Sequence, residues 1–207
     1  MPPMPAPTRR TQQERRATTR AAVLAAAVAC LTESGYARFT TTEVARRAGM
    51  SQGALFKHFP TKSGLLAATI EHVFDGLRSD FTAAYEAVVP GERTVATAFD
   101  LLWQQMLDGR LGAAYDLYTA ARTDPVLRAD MQPVVSAHID HLVSLTAEVA
   151  AGAGVDGADG RFATLVDLAI LAVQGLRLNQ MVVPDHEQAA GVRAALREMA
   201  EAFTIKE

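Results

Sequence analysis

The most constraining feature of this chain is the segment 40–66, TTTEVARRAGMSQGALFKHFPTKSGLL, which predicts two short helices joined by a tight turn. Thr40 and Ser51 are suitable N-cap residues, one for each helix, and we expect Glu43 to complete a capping box with Thr40. Gly49 stands where the first helix must end, because glycine readily adopts the left-handed conformation of a helix C-terminus. This arrangement is a helix-turn-helix, which places its second helix in the major groove of DNA.

Apolar spacing divides the two helices into inner and outer faces. Val44 and Ala48, and then Leu55 and Phe59, stand four positions apart and are expected to face the core. Gln52 lies in the first turn of the second helix, where its amide can pair with the edge of adenine. We expect Gln52 to read bases and the other contacts to DNA, mainly to phosphates, to come from Thr40, Thr42, Ser51, Gly53, Ala54, Phe56, Lys57, His58 and Lys62.

The segment resembles the DNA-binding domain of the TetR family of bacterial transcriptional regulators. The family signature is approximately T-(T/V)-x-x-(I/V)-A-x-x-A-G-(V/M)-S-x-G-x-L-(Y/F)-x-(H/Y)-F-x-(S/T/N)-K-x-x-L. This chain departs from the commonest form at Phe56, where the family usually has Tyr, so a hydroxyl contact to phosphate is missing. The matching positions are Thr40, Val44, Ala45, Ala48, Gly49, Ser51, Gly53, Leu55, Phe56, His58, Phe59, Lys62 and Leu65.

The resemblance implies a dimeric regulator whose usual mechanism is repression. A homodimer would occupy a palindromic operator in double-stranded DNA, and a small molecule in the larger domain would favour a form that no longer matches two successive major grooves. Two other classes stay open: an effector-independent DNA-binding regulator, and a helical ligand-binding or enzyme domain with a vestigial helix-turn-helix. The sequence has no GxSxG, HExxH or phosphate-loop motif, so we expect no enzyme activity.

Charge is divided unevenly along the chain. Residues 1–62 contain ten Lys or Arg against three acidic residues, a net charge of +7, whereas the remainder has ten basic and twenty acidic residues, a net charge of −10. The basic part coincides with the helix-turn-helix and has the electrostatic character of a phosphate-binding surface. The overall charge of −3 argues against indiscriminate binding to nucleic acid.

Composition and helical periodicity predict an all-α chain in three parts. Residues 1–14 begin with the Pro-rich stretch MPPMPAPTRR and are expected to form a disordered basic arm, either inert or reaching DNA through Arg9 and Arg10. Residues 15–61 should form the three-helix helix-turn-helix domain. Residues 62–207 should form a helical bundle for effector binding and dimerisation, because no alternating β-pattern of useful length is present.

A basic and apolar stretch near the start of the chain resembles a signal peptide. Three arginines precede the apolar run 21–31, but eleven residues are too few to span a bilayer. Leucine and valine at helical spacing indicate the first helix of the DNA-binding domain instead. The single Cys30 excludes a disulfide within the chain and fits a reducing compartment. We therefore expect a cytoplasmic protein with no membrane partner.

The larger part combines apolar stripes with a few polar side chains. His138 falls near the centre of such a stripe, either as a core histidine with a satisfied hydrogen bond or as a polar contact in a ligand pocket. We expect a largely apolar ligand, neutral or weakly anionic, with its polar end fixed by His138 or Gln174. A solid core without a cavity is the alternative. The expected lining is Phe99, Trp103, Met106, Tyr115, Tyr118, His138, Leu142 and Gln174.

No metal or cofactor is expected. His138 and His141 are three positions apart, but no Cys, Asp or Glu joins them at a spacing typical of a metal site.

The last two predicted helices carry more apolar surface than one core can cover. The helix over 161–183 is apolar on nearly all sides, and the next, over 186–203, has a coiled-coil-like seam. Paired with their symmetry mates they would form a four-helix dimer interface, whereas packing only within the monomer is the alternative. The expected interface residues are Leu168, Leu176, Val192, Leu196, Met199 and Phe203.

Overall fold

The computed structural model describes residues 11–155, 160–183 and 188–202. Within these ranges every regular element is a helix and none is a strand, which confirms the all-α prediction. Single 3₁₀ turns occupy Tyr36–Arg38 and Pro90–Glu92. The α-helices are α1 (Gln12–Ser34), α2 (Thr41–Arg47), α3 (Gln52–His58), α4 (Lys62–Ala87), α5 (Val95–Met106), α6 (Arg110–Ala121), α7 (Pro125–Gly152), α8 (Gly160–Gln180) and α9 (Gln188–Ala202).

Helix α1 begins earlier than the sequence pattern predicted. The Thr11 hydroxyl accepts a hydrogen bond from the Glu14 backbone N–H at 3.2 Å, and the Glu14 carboxylate accepts one from the Thr11 N–H at 2.7 Å. This capping box draws residues 12–14 into the helix, so the end of the predicted disordered arm is helical. Arg9 and Arg10 lie outside the described residues.

The helix-turn-helix forms at the predicted caps, with one correction. Thr40 and Ser51 accept hydrogen bonds from backbone N–H groups of the helices they precede, and Gly49 has a φ of +70°. Glu43 does not complete a capping box. Its carboxylate accepts hydrogen bonds from Arg46 and Arg47 instead, because charged donors bind a carboxylate more strongly than one backbone N–H does.

One hydrophobic core joins the DNA-binding helices to the larger bundle. Residues 65–70, the first turns of α4, are all buried. Val23 on α1, Leu117 on α6 and Leu127 on α7 belong to the same cluster. The predicted domain boundary before α4 therefore does not separate two independent cores, and the helices that read DNA depend on α6 and α7 for part of their burial.

Helices α8 and α9 pack on α5, which corrects part of the predicted dimer interface. Leu176 and Leu196 are each only 5% exposed, in a cluster with Trp103. Val192 is partly buried against the same cluster. Leu176 and Leu196 are therefore core residues of the monomer, because Trp103 offers them apolar cover within the same chain. Phe203 lies outside the described residues.

The rotation of α9 about its axis is fixed by ion pairs to α5. Asp100 accepts hydrogen bonds from Arg193 at 2.9 Å and from Arg197 at 3.0 Å. Burial alone would raise the pKa of Asp100, but these hydrogen bonds hold it below its ordinary value. Because both arginines lie beside Leu196 along α9, their pairing with α5 turns that leucine towards the core.

Helix α8 is the one helix in the described ranges that is long and apolar enough, by length and composition, to cross a membrane. The same composition is typical of a helix that protein covers on more than one side. One side of α8 is covered here, since Phe162, Leu165 and Val173 are buried against neighbouring helices.

Candidate DNA-binding surface and ligand cavity

The predicted DNA contacts lie on the outer side of α2, α3 and the start of α4. Ala54 and His58 are half-buried, and the remaining eight predicted residues are exposed: Thr40, Thr42, Ser51, Gln52, Gly53, Phe56, Lys57 and Lys62. The caps of α2, α3 and α4 are Thr40, Ser51 and Thr61, each with a hydroxyl that accepts a backbone hydrogen bond. The local sequence therefore fixes where each of these helices begins.

Gly53 has no role in the packing of the free chain. A Cβ atom added there would meet no other atom within 4 Å, and the backbone has no positive φ that would require glycine. Glycine inside a helix costs about 1 kcal/mol relative to alanine. The fold therefore does not require glycine at this exposed position.

Basic residues near α3 differ in whether they are already paired. Arg46 and Arg47 hold Glu43 between them, and their hydrogen bonds lower the pKa of that carboxyl to about 2. Lys62 instead lies with its ammonium 5.1 Å from the ring centre of Tyr36, and no carboxylate of the described residues pairs with it or with Lys57. The two lysines thus carry positive charge that is available to phosphates.

A cavity of about 470 Å³ lies within the larger bundle, between helices α4 to α8. Its walls are mostly apolar and aromatic, with contributions from Phe74, Leu77 and Phe81 on α4. The solid-core alternative is therefore not what the structure contains. Six of the eight predicted lining residues border this cavity: Met106, Tyr115, Tyr118, His138, Leu142 and Gln174.

The other two predicted lining residues border a smaller neighbouring cleft. Phe99 and Trp103 face an apolar space of about 70 Å³, with their ring centres 5.9 Å apart. Trp103 is only 4% exposed and packs in the α5–α8–α9 cluster. Met106 and Leu142 border both spaces, so Trp103 is separated from the larger cavity by shared side chains.

His138 is a half-buried histidine whose Nδ1 atom is buried without a hydrogen-bond partner in the structure. Its ring stacks on Phe74 with the ring centres 3.7 Å apart and an interplanar angle of 6°. The interpretation as a satisfied core histidine therefore does not hold. Burial, followed by the positive charge of Arg78, lowers the pKa of His138 from 6.5 to about 4, so the ring is neutral at pH 7.

Sequence reasoning missed the α4 side of the cavity. Phe74, Leu77 and Phe81 have spacings of three and four, the same pattern that was used to assign other helix faces. Arg78 also borders the cavity and pairs with Asp75 one turn earlier. The spacing along α4 therefore also predicts a cavity wall, which the sequence analysis did not include.

Helix α6 connects the cavity to the DNA-binding helices. Tyr115 and Tyr118 border the cavity, and burial raises the pKa of Tyr115 and raises that of Tyr118 to about 12, so both hydroxyls keep their protons. On the same helix, Asp116 accepts a long hydrogen bond, 3.4 Å, from the backbone N–H of Tyr36 just after α1. Gly35 permits this approach, because an added Cβ would lie 3.1 Å from the Asp116 carboxylate.

A stripe of uncovered apolar residues runs along α8. Leu168, Leu171, Gly175 and Leu178 are all exposed and follow one another at spacings of three and four. Because such spacing places side chains on one helix face, they form a continuous surface that no described part of the chain covers.

The neighbouring face of α9 consists mainly of small residues. Gly191, Ala195 and Met199 are exposed at spacings of four, on a face of α9 beside the one that packs on α5. Leu168 and Met199 are thus the two predicted interface residues that the structure leaves exposed, at 46% and 42%.

Comparison with known proteins identifies the family. Residues 23–69 match the family model described as "Bacterial regulatory proteins, tetR family". The HTH-type transcriptional regulator CymR from Pseudomonas putida is 31% identical over 194 residues, which cover 94% of this chain and 95% of that protein. The chain belongs to the TetR family.

Solved structures of other proteins share the fold over nearly the whole of this chain. A transcriptional regulator from Rhodococcus sp. Rha1 superposes with a TM-score of 0.70 at 22% identity, covering 91% of this chain and 99% of that one. The multidrug binding protein EbrR, crystallised with ethidium, superposes with a TM-score of 0.61 at 20% identity, covering 88% and 98%. The protein is therefore a DNA-binding transcriptional regulator of the TetR family, and its relatives are regulators and not enzymes, as predicted.

The neutral state of His138 predicts an acid-dependent loss of stability. The folded-state pKa of about 4 lies below the ordinary 6.5, so the unfolded chain binds a proton that the folded chain does not. The contribution of His138 to stability is complete above pH 6.5 and falls as the pH decreases towards 4. We expect His138→Phe, which keeps a ring against Phe74, to remove this part of the pH dependence in urea titrations.

The matched control is His72→Gln, which removes an exposed imidazole from α4. It should retain the loss of stability between pH 6.5 and about 4 that is assigned to His138. An unchanged pH dependence in His138→Phe would contradict the assignment of a neutral, buried ring.

Proposed function

We propose that this TetR-family protein is a cytoplasmic repressor that leaves a palindromic operator when a small, largely apolar molecule occupies the cavity between α4 and α8. One observation carries the proposal: α4 and α6 border the cavity and also supply the core beneath the DNA-binding helices. A ligand that separates α4 from α6 in the cavity would therefore also displace the core that supports the DNA-binding helices. Energetically it must bind the form that cannot bind DNA more tightly, and the coupling is reciprocal.

The walls of the cavity indicate the chemistry of its ligand. Aromatic and aliphatic side chains form most of the surface, and the polar or charged side chains around it are those of Arg78, Gln105, His138, His141, Asp167 and Gln174. The buried Nδ1 of His138 lacks a partner and gains one from a ligand hydroxyl or carboxyl group. We therefore assign a neutral or weakly anionic ligand whose polar end binds His138 or Gln174. EbrR, with the same fold, holds ethidium.

The exposed stripe on α8 and the small face of α9 support a homodimer. A second copy related by a two-fold axis would cover both faces in a four-helix arrangement, and small residues on α9 would let the backbones approach closely. In this proposal Leu168 and Met199 lie in the interface, whereas Leu176 and Leu196 support it from the core. The two helix-turn-helix units of the dimer would then contact half-sites roughly 34–36 Å apart on double-stranded DNA.

The glycine on α3 and the unpaired lysines support the assignment of the DNA contacts. Gln52 would read a base, and Thr40, Thr42, Ser51, Lys57, His58 and Lys62 would hold phosphates, with Gly53 allowing close approach. An effector-independent regulator would have the same DNA surface but no ligand that releases it. A vestigial helix-turn-helix would bind no DNA at all.

The first prediction separates base reading from phosphate binding. Gln52→Ala should cost about 1–3 kcal/mol on the operator and relax preference at one position in each half-site. Lys62→Ala should weaken binding to every duplex and reduce the salt slope by about one per lost contact per subunit. The measurement is a fluorescence titration of operator and random duplexes at several salt concentrations, with the exposed Gln132→Ala on α7 as control. Equal weakening on both duplexes by Gln52→Ala would remove the base-reading assignment.

The second prediction concerns the ligand. A panel of hydrophobic compounds is screened by the fluorescence of Trp103, the single tryptophan, which shares Met106 and Leu142 with the cavity. A binder should release operator DNA, and His138→Ala should weaken it about three- to tenfold, the value of one hydrogen bond. Operator affinity without the binder should be retained in both His138→Ala and the control His72→Ala. Loss of operator binding by His138→Ala in the absence of any binder would show that the histidine is needed for the fold and not for ligand binding.

The third prediction concerns assembly. Leu168→Glu places a charge on the uncovered α8 face, where dimerisation would bury it at high cost. Sedimentation should show a folded monomer with weak operator binding. The control Val126→Glu changes a residue that is 63% exposed on α7 and should remain a dimer. A Leu168→Glu dimer with normal operator affinity would show that the interface lies elsewhere.

A further inference from the structure

The side chain of Gln52 is already held in place in the free protein. Its Nε2 atom donates a hydrogen bond of 2.9 Å to Oγ1 of Thr41. Gln52 is the first residue of α3 and is exposed, whereas Thr41 is the first residue of α2 and is half-buried. The bond therefore joins the first turn of the recognition helix to the start of the helix behind it.

Thr41 is a firm anchor for this bond. In a helix interior a threonine hydroxyl commonly bonds to the carbonyl one turn earlier, but the first residue of a helix has no such turn before it. The β-branched side chain has few rotamers, and α2 itself is fixed by the Thr40 cap and by the buried Val44 and Ala45. The hydroxyl can therefore be directed at α3 at little cost in entropy.

The hydrogen bond leaves a defined set of groups free on the glutamine. A primary amide has two N–H donors and one carbonyl acceptor. One N–H is used by Thr41, and the remaining N–H and the carbonyl oxygen form one donor beside one acceptor. Adenine presents the complementary pair in the major groove, an acceptor at N7 and a donor at N6, whereas guanine presents two acceptors.

We propose that Thr41 is a positioning residue for base recognition: it holds the Gln52 amide so that α3 selects adenine over guanine at one position of each half-site. The inference rests on the proposed role of Gln52 in reading a base. Thr41 itself touches no base. Without its hydroxyl, the amide can rotate and must be ordered when DNA binds, so discrimination falls more than general affinity.

The test uses the full-length protein and four variants: Thr41→Val, which replaces the hydroxyl with a methyl group, Thr41→Ser, which keeps it, Gln52→Ala, and the double variant Thr41→Val/Gln52→Ala. The probes are duplexes selected by the wild type from a random pool, then resynthesised with each base pair in turn at every position. The wild type and Thr41→Ser should bind duplexes with adenine about tenfold more tightly than duplexes with guanine at one position in each half-site. Thr41→Val should reduce this ratio to about threefold or less.

Further readouts separate positioning from a structural role. Thr41→Val should keep the wild-type melting temperature and the wild-type affinity for random duplexes. The double variant should discriminate between adenine and guanine no worse than Gln52→Ala does. Replacing the selected adenine with 7-deazaadenine, which lacks the N7 acceptor, should weaken the wild type and leave Thr41→Val little changed. If Thr41→Val does not fold, Thr41→Ala takes its place.

Two results would overturn the inference. One is full adenine preference in Thr41→Val, and the other is guanine at the Gln52-dependent position of the wild type, which would require the opposite amide orientation. If Gln52→Ala leaves base preference unchanged at every position, the proposed readout fails first. That outcome is distinct, because the positioning inference alone fails when Gln52→Ala changes preference and Thr41→Val does not.

Discussion

Burial of the first turns of α4 on all sides is the constraint on which the rest of the molecule depends. Residues 65–70 pack against α1 on one side and against α6 and α7 on the other, in a single cluster. The helix has 26 residues and so extends for about 39 Å. Further along the same helix, Phe74, Leu77 and Phe81 border the cavity. In the proposed mechanism, a ligand in the cavity would shift these packed helices and, through the shared core, the helices that contact DNA.

Polar groups of the larger bundle differ in whether they have partners. Arg110 at the start of α6 is paired, since it donates hydrogen bonds to Asp80 on α4 at 2.7 Å and to Asp108 at 2.9 Å. At the cavity the Nδ1 atom of His138 has no partner. An unsatisfied buried group costs about 1–3 kcal/mol, so it is a weakness of the free protein that a bound ligand would relieve. In the proposed function, the same side chain of His138 would lower the stability of the free protein and contribute to the binding of the ligand.

Much of the DNA-binding surface could be predicted because its determinants are local. The caps Thr40 and Ser51 and the turn at Gly49 act within four residues, and the structure places each of them as expected. The capping box at Glu43 was wrong because two arginines on the next turn compete for its carboxylate. The Thr41–Gln52 hydrogen bond could not be read from spacing, since it joins two helices eleven residues apart whose relative angle depends on core packing.

The sequence by itself determined the all-α class, the helix-turn-helix with its caps and part of the cavity wall. It could not determine which side of α8 and α9 faces the core. Helix α8 is apolar all round, so its periodicity fixes no rotation, and the Val192 and Leu196 stripe of α9 suits either the monomer core or a partner. Only the tertiary structure decided this, because Trp103 provides the cover for Leu196 and Asp100 pairs with two arginines of α9. Those contacts join residues about a hundred positions apart, and no local pattern encodes them.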